Sequence, residues 1–382
     1  MEAYRESERA TTDESTLHVV LRNLHDEVWV PIEKALPAGA KTIILCPDGA
    51  LNFISFATLL TPNDEFLVEK YSIRYVASGR DLLREREASP SELLVAFGNP
   101  DFGKQLELIA QEAQTSGPLA MRVTEMRDFG NMSLAALPGT DKECGGLKAQ
   151  ARASRKPIQV FLGVGATEAQ LREIDSPRIL HLATHGFFLP ESEHLDNGQE
   201  LGTGGINLAG DAQRDRRTHV ILKNPMHRSG LALAGARRTL DAWTKGDAPP
   251  SDNDGIVTAE EVGGLKLKGT WLVVLSACDT GTGKAKAGEG VLGLRRGFIQ
   301  AGAQNLLMTL WPISDETTVQ IMLDFYNRAF ASGNAPQSLM DVQREWLVKL
   351  RKEKGLLYAV NRAGPFIMSS QGNARLVVTA KK

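Results

Sequence analysis

Two residues in this 382-residue chain stand where acyl-transfer chemistry needs a thiol and a base. The apolar run "LVVLSACDTG" ends in Cys278, and "ILHLATHG" ends in His185-Gly186. A free thiol has a pKa of about 8.5, so little of it is thiolate near neutrality. A neighbouring imidazole can take its proton during attack on a carbonyl and return it to the leaving amine. Gly186 would keep that approach clear, and the backbone N–H groups of Gly186 and Cys278 would receive the oxyanion. One good donor of that kind is worth roughly 3–4 kcal/mol. The bland alternative stays open: cysteine is often buried as an inert small apolar residue, and a strand histidine is often a satisfied core group. His181, four residues before His185, is read as core packing, with support of the sheet or orientation of the active loop as the alternative.

Both residues must be positioned by strand ends. Strands are expected in "ELLVAFGNP", "IQVFLG", "RILHLATHG", "TWLVVLSAC" and "QNLLMTLW", with helices between them. "TDKECGGLKAQAR" reads as a helix opened by a capping box, with Thr140 as cap and Glu143 three places on. Helices are also read in Leu17–Leu36, kinked or ended at Pro31, in "DETTVQIMLDFYNRAF", and over residues 336–354. "PFIMSS" and "RLVVTA" are candidates for final strands. Strands alternating with helices predict an α/β fold with a mainly parallel sheet flanked by helices. Such sheets bind ligands at the carboxyl ends of their strands. If the His and Cys strands are neighbours, the two side chains share a rim although 93 residues (278 − 185) separate them.

The whole-chain numbers bound the alternatives. Hydrophobic residues make up 42% and charged residues 24%, ordinary globular values. A net charge of −2 gives no reason to expect nucleic acid or an anionic membrane as a partner. No apolar run reads as a signal peptide or membrane span, and three cysteines make no secreted disulfide framework, so a reducing cytoplasm is expected.

Several motif fragments fail. "DTGTGK" has Cys278 where a P-loop needs its first glycine and Ala285 where it needs Ser or Thr. "GVGATE" ends in Glu168 where a dinucleotide fingerprint needs its third glycine. In "DNDGIVTAEE", Asp252, Asp254, Gly255 and Glu261 fit EF-hand positions, but Pro250 would fill the first. That stretch reads as a turn before a helix. Without CxxC or HExxH spacing no metal site is expected, and no cofactor.

The surrounding residues carry a resemblance. From about Lys41 to about Gln371 the segments "IILCPDGALNFISFATLL", "LLVAFGNPDF", "HLATHGFF", "NPMHRSGLALAGA", "DGIVTAEEVGGLKLKGTWLVVLSACDTGTG", "GEGVLGLRRGFIQAGAQNLLMTLWPISDETT" and "MLDFY" occur in the order and spacing of the CHAT family. The chain thus resembles the CHAT proteases, relatives of caspases and separase in clan CD. The resemblance implies a caspase–haemoglobinase-like fold and a cysteine endopeptidase with a Cys278–His185 dyad. It implies a protein or peptide substrate, a regulatory partner protein, and a regulated signalling or defence pathway in a bacterial cytoplasm. Residues 1–90 would be an N-terminal helix and strand extension, and 91–382 the protease core, with 189–255 a long insertion of little core between the His and Cys strands. Many relatives carry tetratricopeptide repeats before this domain; none is read here, since the helical N-terminal stretch is too short for two 34-residue repeats. The alternative function is a catalytically silent binding module of the same fold.

For the substrate pocket, Asp315 is the candidate acid for a basic P1 residue, with Asp279 and Glu289 as rivals and Trp311 as a candidate wall. Asp315 reads equally as a helix N-cap, and Trp311 equally as core. If Asp315 lies in that pocket, Asp315→Ala shifts P1 preference in a peptide-library cleavage profile; an unchanged profile removes the assignment.

Overall fold

Short runs of branched and aromatic residues, buried on both faces, build the centre of this protein. The computed structural model describes residues 13–103, 134–188, 226, 229–245, 253–276, 278–279, 288–311 and 316–372. Its strands are β1 (Thr42–Leu45), β2 (Ser72–Tyr75), β3 (Leu94–Pro100), β4 (Ile158–Gly163), β5 (Ile179–Ala183), β6 (His185–Phe188), β7 (Ser229–Ala232), β8 (Ile256–Thr258), β9 (Leu272–Leu275), β10 (Cys278–Asp279), β11 (Asn305–Thr309) and β12 (Phe366–Ser370). Eight of them form one sheet in the order β1-β2-β12-β11-β9-β5-β3-β4. β5, β9 and β11 are buried at every position, which is why they read as largely apolar runs rather than alternating ones.

The stretch β11-β9-β5-β3-β4 is parallel throughout. β12 runs antiparallel to β11, and β1 and β2 join the sheet through it, β2 by the Ser369–Tyr75 pair. The mainly parallel α/β architecture expected from the sequence is therefore present. Parallel crossovers are right-handed, and the chain steps from β3 to β4 in one direction but from β9 to β11 in the other. The helices Pro138–Ala153 and Gly288–Ala301 thus cover opposite faces. The reversal falls between β3 and β5, where open α/β sheets have their binding crevice.

The helices differ from expectation in detail. The N-terminal segment is helical over Glu14–Leu24, passes through a π-helical turn at His25–Trp29, and continues over Val30–Ala35 with Pro31 in its first turn. The helix read at "TDKECGGL" opens earlier, at Pro138. Its Thr140 hydroxyl donates to the Leu137 carbonyl and receives the Asn99 N–H, so Glu143 has no capping task. The helices Glu316–Ser332 and Ala335–Lys354 match their readings. "PFIMSS" is β12, while "RLVVTA" lies outside the described residues. Among the described residues no helix is long and apolar enough to cross a membrane.

A second sheet, β10-β6-β7-β8, grows out of the first. The run "ILHLATHG", expected as one strand, is two: it leaves the main sheet at Thr184 and enters the second as β6. The Thr184 hydroxyl holds that bend by donating to the Ala232 carbonyl. "LVVLSAC" breaks in the same way between β9 and β10. Residues 229–245, within the stretch expected to have little core, supply β7 and the helix Ala236–Lys245. They close a separate apolar cluster of Phe102, Leu134, Phe187, Ala232, Ala236, Leu240 and Ile256. The rest of 189–255, apart from Met226 and 253–255, lies outside the described residues.

Gly230 sits where this second sheet is tightest. A Cβ there would stand 2.5 Å from the Val257 carbonyl oxygen and 2.5 Å from the Phe187 ring. The ring can move but the carbonyl belongs to the β7–β8 ladder. Gly230→Ala is expected to destabilise the protein by about 1–3 kcal/mol, read as a lower denaturant midpoint at unchanged m-value; an unchanged midpoint would show that the ladder yields.

Candidate active site

The site is made by register. β5 and β9 pair in parallel, Leu182 opposite Leu275. Beyond their ends Ser276 N–H still donates to the Leu182 carbonyl at 3.0 Å. The same offset then reappears in the second sheet, where His185 is the partner of Cys278 and Gly186 of Asp279. The two residues singled out from the sequence are thus brought together as backbone neighbours at the carboxyl ends of the core strands. Gly186 lies inside the second sheet, in register with Leu231 on its other side.

The imidazole of His185 is 8% exposed and tightly oriented. Its Nε2 donates to the Ala135 carbonyl oxygen at 2.8 Å. A carbonyl only accepts, so Nε2 carries the proton and Nδ1 keeps the lone pair. Burial lowers the pKa of this histidine, and the bond to Ala135 only partly opposes the shift. At neutral pH it is an uncharged base. The Phe102 ring packs against it, with centroids 5.1 Å apart.

Neither Ala135 nor Phe102 drew attention in the sequence, and the segment carrying Ala135 is held by Asn99. Asn99 has a left-handed φ of 41°, a conformation asparagine tolerates better than most residues. Its side-chain oxygen accepts the Leu137 N–H at 3.0 Å, which fixes the segment carrying Ala135. Phe102 is docked through its carbonyl, which accepts from Arg237 N at 2.9 Å. The Asn99-Pro100 pair that ends β3 was the available signal, since it marks a turn at a strand's carboxyl end.

Below the bend lies a buried polar chain. His181 is fully buried, as expected of a core residue, and its Nδ1 is 2.8 Å from the Tyr326 hydroxyl. Its Nε2 is 3.5 Å from Glu143 Oε1, longer than a good hydrogen bond. Glu143 Oε2 accepts from the Ser276 hydroxyl at 3.0 Å. Burial pushes the Glu143 carboxyl up to about 7 and the His181 imidazole down to about 3, so near neutrality the pair is substantially uncharged.

The pocket candidates fare unevenly. Asp315 lies outside the described residues. Asp279 follows Cys278 in β10, and Glu289 is in the first turn of the helix Gly288–Ala301. Trp311 is 7% exposed and donates from Nε1 to the Asn361 carbonyl at 3.2 Å, which suits packing better than a pocket wall. The stretch after Asn253 is a turn that leads into β8 before the helix: Asp254 accepts from Ile256 N, and Thr258, the end of β8, forms a capping box with Glu261 ahead of Ala259–Gly263. Among the described residues no group of three or more His, Cys, Asp or Glu could hold a metal ion.

Fold and site together define an α/β protein that presents a histidine and a cysteine in register at the rim of a mainly parallel sheet. The family model described as CHAT domain matches residues 18–367, and the chain belongs to that family. It is also similar to the proteins named Tetratricopeptide repeat protein 28 of Mus musculus, 24% identical over 368 residues, and of Homo sapiens, 24% identical over 358 residues. Each alignment covers 92% of this chain but 13% of the relative, so the chain spans a small part of those proteins.

The carboxyl of Glu143 gives a pH test. Its folded pKa lies above the ordinary value of 4.5, so its contribution to stability is full below pH 4.5 and is lost as pH rises through about 7. Glutamine does not titrate. Glu143→Gln is therefore expected to gain stability over the parent between pH 4.5 and pH 8, by up to about 3 kcal/mol. Denaturant unfolding at both pH values reads the difference, and a pH-independent difference would mean that Glu143 is not held protonated.

Proposed function

We propose that this chain is a caspase-like cysteine endopeptidase, with Cys278 as nucleophile and His185 as its base. The observation that carries the reading is the pairing of Cys278 with His185 in β10 and β6, with the His185 tautomer fixed by Ala135. The thiol proton passes to Nδ1 as the sulfur attacks the peptide carbonyl. The oxyanion falls to backbone N–H groups of this rim, for which Gly186 and Cys278 are the candidates. The protonated imidazole gives its proton to the leaving amine, and water then hydrolyses the thioester with His185 again as base. The steps need only the thiol, the imidazole, backbone donors and water.

The caspase–haemoglobinase-like fold assignment belongs to the same proposal. Its support is a parallel sheet whose His strand and Cys strand are neighbours and end at one rim. The proposed substrate is a protein or peptide, with Asp315 and Asp279 as candidates for P1 selection. The proposed setting is a regulated signalling or defence pathway of a bacterial cytoplasm. Because curated relatives are named for tetratricopeptide repeats, a repeat-bearing partner or segment is the regulator we propose.

Labelling with a peptidyl thiol electrophile, followed by peptide mapping, tests the reading. Cys278 should be modified, and His185→Ala should slow that modification by about 100-fold or more. Cys144 is buried with its thiol pKa pushed up and should stay unlabelled, while exposed Cys46 sets the background rate. Labelling of Cys278 at the Cys46 rate, unchanged in His185→Ala, would favour a binding module that does not cleave.

A further inference from the structure

Two bends carry the chain from the main sheet into the second, and a hydroxyl ties down each. Thr184 holds the first through a backbone carbonyl, that of Ala232. Ser276 holds the second through a side chain, the carboxyl of Glu143. Cys278 is two residues further on. Glu143 projects from the helix Pro138–Ala153, which packs on β3, β4 and β5. It faces His181 from β5, Tyr326 from Glu316–Ser332 and Ser276 beyond β9, with Cys144 beside it on its own helix. Glu143 Oε1 and His181 Nε2 have no other partner. A carboxyl buried among uncharged groups costs stability that an apolar residue would not, so packing alone gives no reason for it.

We propose that Glu143 is a positioning residue for the nucleophile: by holding Ser276 it fixes the bend between β9 and β10 and keeps Cys278 in register with His185. The inference rests on the peptidase reading above. Reaction rate is steep in such placement, since an error of about 1 Å can cost on the order of 100-fold. Ser276 and Glu143 touch neither substrate nor the reacting atoms in this scheme; they act through the strand that carries the thiol.

The test is the inactivation of the full chain by a peptidyl electrophile, resolved into kinact and KI, for the parent, Ser276→Ala, Glu143→Ala, Glu143→Gln and His185→Ala. Ser276→Ala and Glu143→Ala should each lower kinact by about ten- to 100-fold with KI within about twofold. Glu143→Gln keeps an oxygen that can accept from Ser276 and should recover kinact to within about threefold of the parent. A purely structural role would shift KI and the thermal midpoint as well, and glutamine would not rescue it selectively. Should Glu143→Ala not fold, Ser276→Ala removes one hydroxyl from a half-buried site and carries the test. A parental kinact in Ser276→Ala, with labelling of the parent still dependent on His185, would overturn this inference and leave the peptidase reading standing. A parent whose Cys278 labelling is indifferent to His185 would overturn the peptidase reading and this inference with it.

Discussion

One constraint organises the molecule: β5 and β9 share a register that survives the point where both strands leave the main sheet. The ladder from Ile179–Leu272 to Leu182–Leu275 fixes the offset, the Ser276 to Leu182 bond carries it across the break, and the His185–Cys278 pair inherits it. A slip of one residue would turn each side chain of β5 and β9 to the opposite face of the sheet and into the packing of the other layer. The crevice at the reversal between β3 and β5 supplies the rest, because the chain leaving β3 passes there and returns the Ala135 carbonyl and the Phe102 ring to the imidazole. The geometry around His185 is thereby paid for by the core of the large sheet.

Beneath that rim the protein spends polarity where it has little room for it. Buried His181, Tyr326 and Glu143 and half-buried Ser276 form a chain of polar groups crossing from the helix layer to the end of β9. Most such groups in a core are satisfied by backbone; here two side-chain atoms face each other at 3.5 Å without other partners. Desolvation resolves the pair towards neutrality instead of an ion pair, since two separated charges would lose more hydration than their attraction returns.

How much of this was legible beforehand depended on whether a signal was local. The apolar runs and the turn residues after them announce β3, β5, β9 and β11, and the residue types at their ends announce Cys278 and His185. The break at Thr184 was invisible because a strand changing sheets keeps the same extended, apolar pattern on either side. The role of Glu143 was hidden by a misleading local match: Thr140 and Glu143 have capping-box spacing, but the helix begins at Pro138, and Thr140 spends its hydroxyl on Asn99 and Leu137. Ala135 acts through its carbonyl, and a backbone group leaves no mark on residue type. The CHAT resemblance reached the same pair of residues by whole-chain order, without indicating which groups orient them.

The place of β12 has a consequence for how the chain comes to be folded. β1 and β2 precede β12 by roughly three hundred positions, yet among the described residues they join the large sheet only through it. During synthesis β2 keeps an unpaired edge until β12 is delivered and pairs antiparallel with β11. Closure of this sheet is therefore a late, long-range event, and the interval before it is when the nascent chain is most exposed to mispairing.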